Sequence, residues 1–412
     1  MPELEKIKEF RKVLPGIEPK LNGRKMEANI WKSYMFQLFL GCHMVSGVLL
    51  PFFLVWGRLT FIEVMILQSY FTIMIVIFEI PCGAISDNIS RKFSLFLGGL
   101  TTAFAALIYS TIPNIFIFVI GETLFALGFA LVSGTDQALT FDTLRKLERE
   151  YEMSKIMARN RSFFLIGISI AAPIGSLITL FFPLQYAMTF MFFPFIIAAF
   201  IAITLQEPNH NLEKKSLKYL SIVKSGFKQL RKNKTLRILA FDFVIVDVLA
   251  FLLIWTYQLY LEDLSVPLTF YGFVAASMTL AEMIFCNLVP KLEKYSKNKK
   301  LFLVIYTMIP GIAYILIAFI LFAPLGILLI IIIIGFGFSR SIIFINGINK
   351  NIEAENRATV LSTISMIRSF IITILYPVIG ILAMWNLNYT FIILGISIIL
   401  IALLSNVKNE QL

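Results

Sequence analysis

Charge is what this chain has least of. Only 15% of its 412 residues are Asp, Glu, Lys or Arg, whereas 58% are hydrophobic. Soluble domains run at about 25% charged and about 45–50% apolar, so the composition excludes a soluble enzyme and indicates a polytopic membrane protein. Cysteine is also scarce. Cys42, Cys82 and Cys286 lie in or beside hydrophobic stretches without a CxxC spacing, which argues against a disulfide framework or a zinc site. There are two histidines and no HExxH, GxSxG or Walker pattern, so neither enzymatic chemistry nor a cofactor is expected. Met1–Lys32 lacks the apolar core of a cleavable signal peptide, and none is expected.

What is abundant is long apolar sequence. Stretches of about 20 apolar residues, the length that crosses a bilayer, recur twelve times with short connections between most of them. The exception is the polar segment 206–235. It divides the chain into an N-terminal segment (1–32), six spans in 33–205, a linker (206–235), six spans in 236–405 and a tail (406–412). All but three of the 36 Lys and Arg residues fall on one side of this twelve-span arrangement. Basic residues stay in the cytoplasm, so both termini and the linker are expected there, in a cytoplasmic membrane. The net charge of +11 is then topology signal and attraction to anionic lipid, not a nucleic-acid footprint. Leu4, Ile7, Phe10 and Leu14, and again Leu217, Leu220, Val223, Phe227 and Leu230, repeat at helical spacing among charges and predict helices lying in the interface. Trp255, Tyr257, Tyr260 and Trp385 read as outer-interface anchors, and Trp31 and Tyr34 as inner ones.

One polar break stands out. Gly83-Ala84-Ile85-Ser86-Asp87-Asn88-Ile89-Ser90-Arg91-Lys92 separates the second and third spans. It resembles the G-x-x-x-D-x-x-x-R-K loop of the major facilitator superfamily, although Asn88 and Ser90 depart from the usual basic residue and glycine. Glu79-Ile80-Pro81-Cys82-Gly83, Ser133–Leu144 and Arg357–Ser362 resemble a prokaryotic branch of that family. A faint internal echo fits its duplicated architecture: Ser154–Ile178 and Ala358–Leu382 each place a proline, Pro173 and Pro377, at the same position. The resemblance implies an all-α major facilitator fold of two pseudo-symmetric six-helix bundles. It also implies a latch in which Gly83 packs closely, Asp87 faces the start of the eleventh helix near Glu355–Thr359, and Arg91, beside Lys92, pairs with Asp142.

Ionisable residues inside spans are functional candidates by default. At 1.5 Å per residue, Asp247 and Arg368 lie roughly 16 and 15 Å into the seventh and eleventh spans and can pair. Glu282 and Arg340 lie roughly 22 Å from the outer face and form a second possible pair. All four, with His43 in the first span, are substrate-cavity candidates; Asp242 reads as structural. In the first half Glu122 and Asp136 fall on one face of a continuous fourth helix, with no cation at comparable depth, and are candidates to load and release protons. Glu79 is a third, or else braces a helix break at Pro81.

These residues and the resemblance together imply a monomeric secondary active transporter. Its partners would be a small organic solute, protons and membrane lipid. Proton-coupled efflux of an amphipathic or cationic compound is the first reading. Uptake of a small organic anion or nutrient is the alternative, and a non-transporting receptor or scaffold on the same fold is a third.

Overall fold

Half of the crossings begin where a polar side chain satisfies the first unpaired N–H groups of a helix. In the computed structural model, which describes residues 17–208, 219–352 and 357–411, Thr60 and Glu63 form a reciprocal capping box at the start of α2 (Phe61–Asn88). Ser90 caps α3 (Arg91–Tyr109) and Asn114 caps α4 (Ile115–Val132). Asn233, Asn298 and Asn386 cap α7 (Lys234–Phe251), α9 (Lys299–Ile317) and α12 (Leu387–Leu404). The remaining long helices are α1 (Ile17–Leu40), α5 (Met153–Ile178), α6 (Phe192–Ile203), α8 (Tyr271–Tyr295), α10 (Ala323–Lys350) and α11 (Arg357–Trp385). A linker helix, Tyr219–Lys232, joins the halves.

Among the described residues eleven helical segments are long and apolar enough to cross a membrane, where the sequence predicts twelve spans. The difference is the first segment, which advances alongside α5 in pieces. α1 stops at Leu40, a 3₁₀ turn covers Met44–Gly47, and a π-helical turn covers Phe52–Trp56. Close approach explains the break. A Cβ on Gly41 would lie 2.2 Å from the Phe164 carbonyl oxygen, and one on Gly175 would lie 1.7 Å from that of Met44. α2, by contrast, runs unbroken through Pro81 to Asn88. There is no helix break there for Glu79 to brace.

Small residues bring helices together inside each half, as is general where lipid removes the hydrophobic drive to associate. Gly99 of α3 meets Ala199 of α6, and Gly311 of α9 meets Gly395 of α12. These are equivalent helix pairs in the two halves.

The halves themselves meet away from the basic end. Gln258, beyond the Leu252 bend that ends α7, bonds the Ser46 carbonyl at 3.0 Å and the Leu50 N–H at 2.9 Å. Ser69 of α2 donates to the Thr373 carbonyl of α11, and Ser176 of α5 to that of Thr269. A Cβ on Gly272 would lie 2.1 Å from the Ala172 oxygen, whereas one on Gly83, toward the basic end of α2, would meet nothing within 4 Å. The described contacts between the halves thus gather at one end, and Gly83 of α2 makes none at the other. Gly272→Val is expected to lower stability by about 1–3 kcal/mol, the usual penalty of overpacking. Gly83→Val is expected to leave it unchanged, both read as thermal unfolding midpoints in one detergent.

The linker helix packs on α11, because a Cβ on its Gly226 would lie 1.9 Å from Thr363 Oγ1. The expected interfacial stripe through Leu4, Ile7, Phe10 and Leu14 lies outside the described residues, as does Leu217. Among the expected interface anchors Trp31 and Trp385 are exposed, but Tyr34, Trp255, Tyr257 and Tyr260 are buried. Tyr34 stacks on Phe163, and the Tyr260 hydroxyl donates to the Ile320 carbonyl. Protein contacts, not head groups, take these rings.

Candidate functional site

The break in the first segment places His43 between helical pieces, with its ring among Phe129, Phe164 and Phe195 at centroid distances of 5.4–6.2 Å. Beside it lies a cavity of about 310 Å³ whose wall includes Phe53, Gln68, Phe71, Tyr109, Glu122, Phe125, Phe129 and Trp255. Glu122 is 5% exposed and accepts a hydrogen bond from Gln68 Nε2 at 2.7 Å. Of the other buried polar atoms on this wall, His43 Nε2 has no hydrogen-bond partner, whereas Tyr109 Oη lies against the Glu122 carboxylate and Trp255 Nε1 against Tyr376. Orphaned buried polar groups are rare and call for an explanation. Among the described residues no Lys or Arg lines the cavity. It is thus an aromatic chamber with one carboxylate and an unpartnered imidazole nitrogen.

Asp136 does not share it. The expected continuous fourth helix ends at Val132, and a new helix, Thr135–Lys146, starts after Gly134, whose φ of 73° is a left-handed conformation that glycine adopts without strain. The break removes Asp136 from the face of Glu122. Its carboxylate accepts from Gln37 Nε2 at 2.8 Å and from the Gln137 N–H at 2.7 Å. It borders a separate cavity of about 20 Å³ with Ser33 and Thr140, room for about one water. Glu79 lies about three turns along α2 from Gln68, outside the Glu122 cavity.

In the second half every ionisable candidate is matched. Asp247 of α7 and Arg368 of α11 form an ion pair at 2.5 Å, with the guanidinium over Phe251. Glu282 and Arg340 do not meet. Arg340, 1% exposed, pairs with Asp242, donates to Thr307 Oγ1 at 2.7 Å and lies over Phe344. Glu282 faces the first half instead and pairs with Arg161 of α5 at 3.1 Å. The sequence estimate of depth was blind to azimuth: α8 turns Glu282 toward α5, while α10 turns Arg340 toward α7.

The polar motif after Gly83 is mostly helix, with only Ile89 and Ser90 between α2 and α3. Arg91 is buried, pairs with Asp142 and donates to the Ala138 carbonyl at 2.9 Å. Glu207, just beyond α6, accepts from the Ser90 hydroxyl and from the Arg91 N–H. The cation therefore ties α3 to the helix that follows α4. Lys92 is half-buried beside it. Asp87 has no hydrogen bond or ion pair among the described residues, and Glu355 lies outside them. Gly83 faces open space, and among the described residues no contact of Asp87 with α11 is seen.

Sequence reasoning missed Gln68, Tyr109, Trp255 and Glu207. Gln68 and Glu207 carried a legible signal, a polar residue in an apolar span and a carboxylate at the end of one. Tyr109 and Trp255 carried none, since aromatic residues are common throughout these spans.

The sequence model of the Major Facilitator Superfamily matches residues 34–374. No curated protein sequence matches the chain. Among solved structures, the nucleoside transporter NupG superposes with a TM-score of 0.72 at 14% identity, covering 92% of this chain and 97% of that one. The D-xylose-proton symporter gives 0.73 at 11% identity over 93% and 98%. A bacterial homologue of the human lysosomal transporter Spinster, in an inward-facing and unoccupied conformation, gives 0.69 at 13% over 94% and 96%. Likeness at these identities concerns the fold, and it agrees with the matched sequence and the paired six-helix halves: this multi-pass membrane protein belongs to the Major Facilitator Superfamily of transporters.

Proposed function

We propose that the chain exports a small amphipathic, cationic compound in exchange for protons, by alternating access to the Glu122 cavity. One observation carries the reading: among the described residues the cavity presents a single carboxylate, aromatic rings and no cation. A cationic solute would gain the Glu122 charge and the faces of Phe71, Phe125 and Phe129, and its hydrogen-bonding groups would meet His43, Tyr109 and Trp255. A proton and a cation are alternative partners for one carboxylate, so each displaces the other. At about 310 Å³ the chamber is at the lower end of ordinary ligand pockets, roughly 300–1,000 Å³.

Uptake of an organic anion has less support, because Arg340 and Arg368 are each already held by an aspartate. In this reading the basic end is cytoplasmic and the conformation described is the inward-open one. Asp87 would engage the start of α11 when that end closes.

The test is flux into proteoliposomes carrying an imposed pH gradient. Benzyltrimethylammonium should be transported against its gradient, and its uncharged isostere, neopentylbenzene, should not. Cation flux indifferent to the pH gradient would remove proton coupling. Protein-dependent accumulation of the neutral compound to the same ratio would remove the role given to charge.

A further inference from the structure

The outward face of α7 carries two apolar grooves that converge on one arginine. The first, about 260 Å³, runs between the linker helix, α7 and α11 and is walled by Phe227, Leu230, Val244, Ile367 and Ile371. The second, about 410 Å³, runs between α7 and α12 past Ile238, Leu400 and Leu404. Arg237 and Phe241 line both, and Arg231 stands at the mouth of the first. Phe241 is 63% exposed, a ridge separating two troughs. Neither Arg231 nor Arg237 has an ion pair or a side-chain hydrogen bond among the described residues. The one acidic wall residue, Asp242, is held by Arg340. Arg237 lies in the first turn of α7, and the first groove rises from it by about 10 Å to Val244.

We infer that this face is a seat for one anionic diacyl phospholipid, its phosphate on Arg231 and Arg237 and one acyl chain on each side of Phe241. The shape calls for two chains and one head group, and the charge calls for an anion. A soluble peptide would have to leave these grooves, which lie along spanning helices, unfilled. The seat is independent of what the central cavity carries. Because the linker helix touches both the seat and Thr363 of α11, a bound lipid would hold the linker against α7 and α11 together.

Each basic residue near a membrane surface contributes about 1 kcal/mol toward an anionic lipid, so two give roughly a thirtyfold preference. Native mass spectrometry of the full chain, exchanged into detergent with equal phosphatidylglycerol and phosphatidylcholine of identical chains, reads this directly. One phosphatidylglycerol should be retained with that preference. Arg231→Gln with Arg237→Gln should reduce it to a few-fold, whereas Lys291→Gln with Lys294→Gln, which removes equal charge elsewhere at the basic end, should preserve it. Lysophosphatidylglycerol, with one chain, should compete poorly. Equal retention of the two diacyl lipids, undiminished preference in the arginine variant, equal loss in the lysine variant, or full competition by the single-chain lipid would each overturn the seat.

Discussion

Glu122→Gln should abolish solute accumulation driven by a pH gradient while leaving solute exchange in place. One pH unit is worth about 1.4 kcal/mol per proton, so a two-unit gradient coupled one-to-one sustains roughly a hundredfold solute gradient. Without a carboxylate in the cavity that ratio should fall to about one. The amide keeps the size of Glu122 and can still bond Gln68, so the chamber is expected to keep its shape. Exchange of labelled for unlabelled solute needs only the conformational cycle and should persist, although weaker binding of a cation would raise the concentration required. Gradient-driven accumulation undiminished in Glu122→Gln would remove this residue from the coupling step. Loss of exchange as well would show that the substitution had damaged the cavity and not the coupling alone.

The largest effect on stability should come from Asp242→Ala. Arg340 is almost wholly enclosed and is held by Asp242, Thr307 and the face of Phe344. Removing one partner of a buried pair leaves a charge with no solvent, a loss of about 3–5 kcal/mol. Replacing both by apolar residues of similar size, Asp242→Leu with Arg340→Met, removes the stranded charge and should restore most of it. Thermal unfolding in one detergent distinguishes the cases. Asp242→Ala should unfold well below the wild type and the double variant close to it. A single variant as stable as the wild type would mean that water or lipid reaches Arg340. Asp247→Asn should be milder, since the Arg368 it leaves behind is half-buried and its charge is not sealed in.

The fold was legible in the sequence because membrane helices announce themselves by length. A twenty-residue apolar run has few other structures open to it, and the motif from Gly83 to Lys92 added the family. Which residues meet was less legible. Asp247 and Arg368 come together because depth and azimuth both agree. Glu282 and Arg340 share depth but face opposite neighbours, and a count along the chain carries depth alone. Helix breaks were the other blind spot. Gly41 and Gly134 are ordinary glycines in the sequence; only the approach of Phe164 in one case and a positive φ in the other make them the ends of helices. Those two breaks set His43 beside Glu122 and separate Asp136 from it, so they decide the composition of the site.

In the proposed cycle a proton and a cationic solute compete for Glu122. The most direct measurement is proton release on binding, followed with a pH indicator in weakly buffered, purified protein near neutral pH as benzyltrimethylammonium is added to saturation. At a pH where the free protein holds the proton, about one proton should appear per cation bound, and none in Glu122→Gln. Saturable binding without proton release at any pH between 5 and 9 would contradict it.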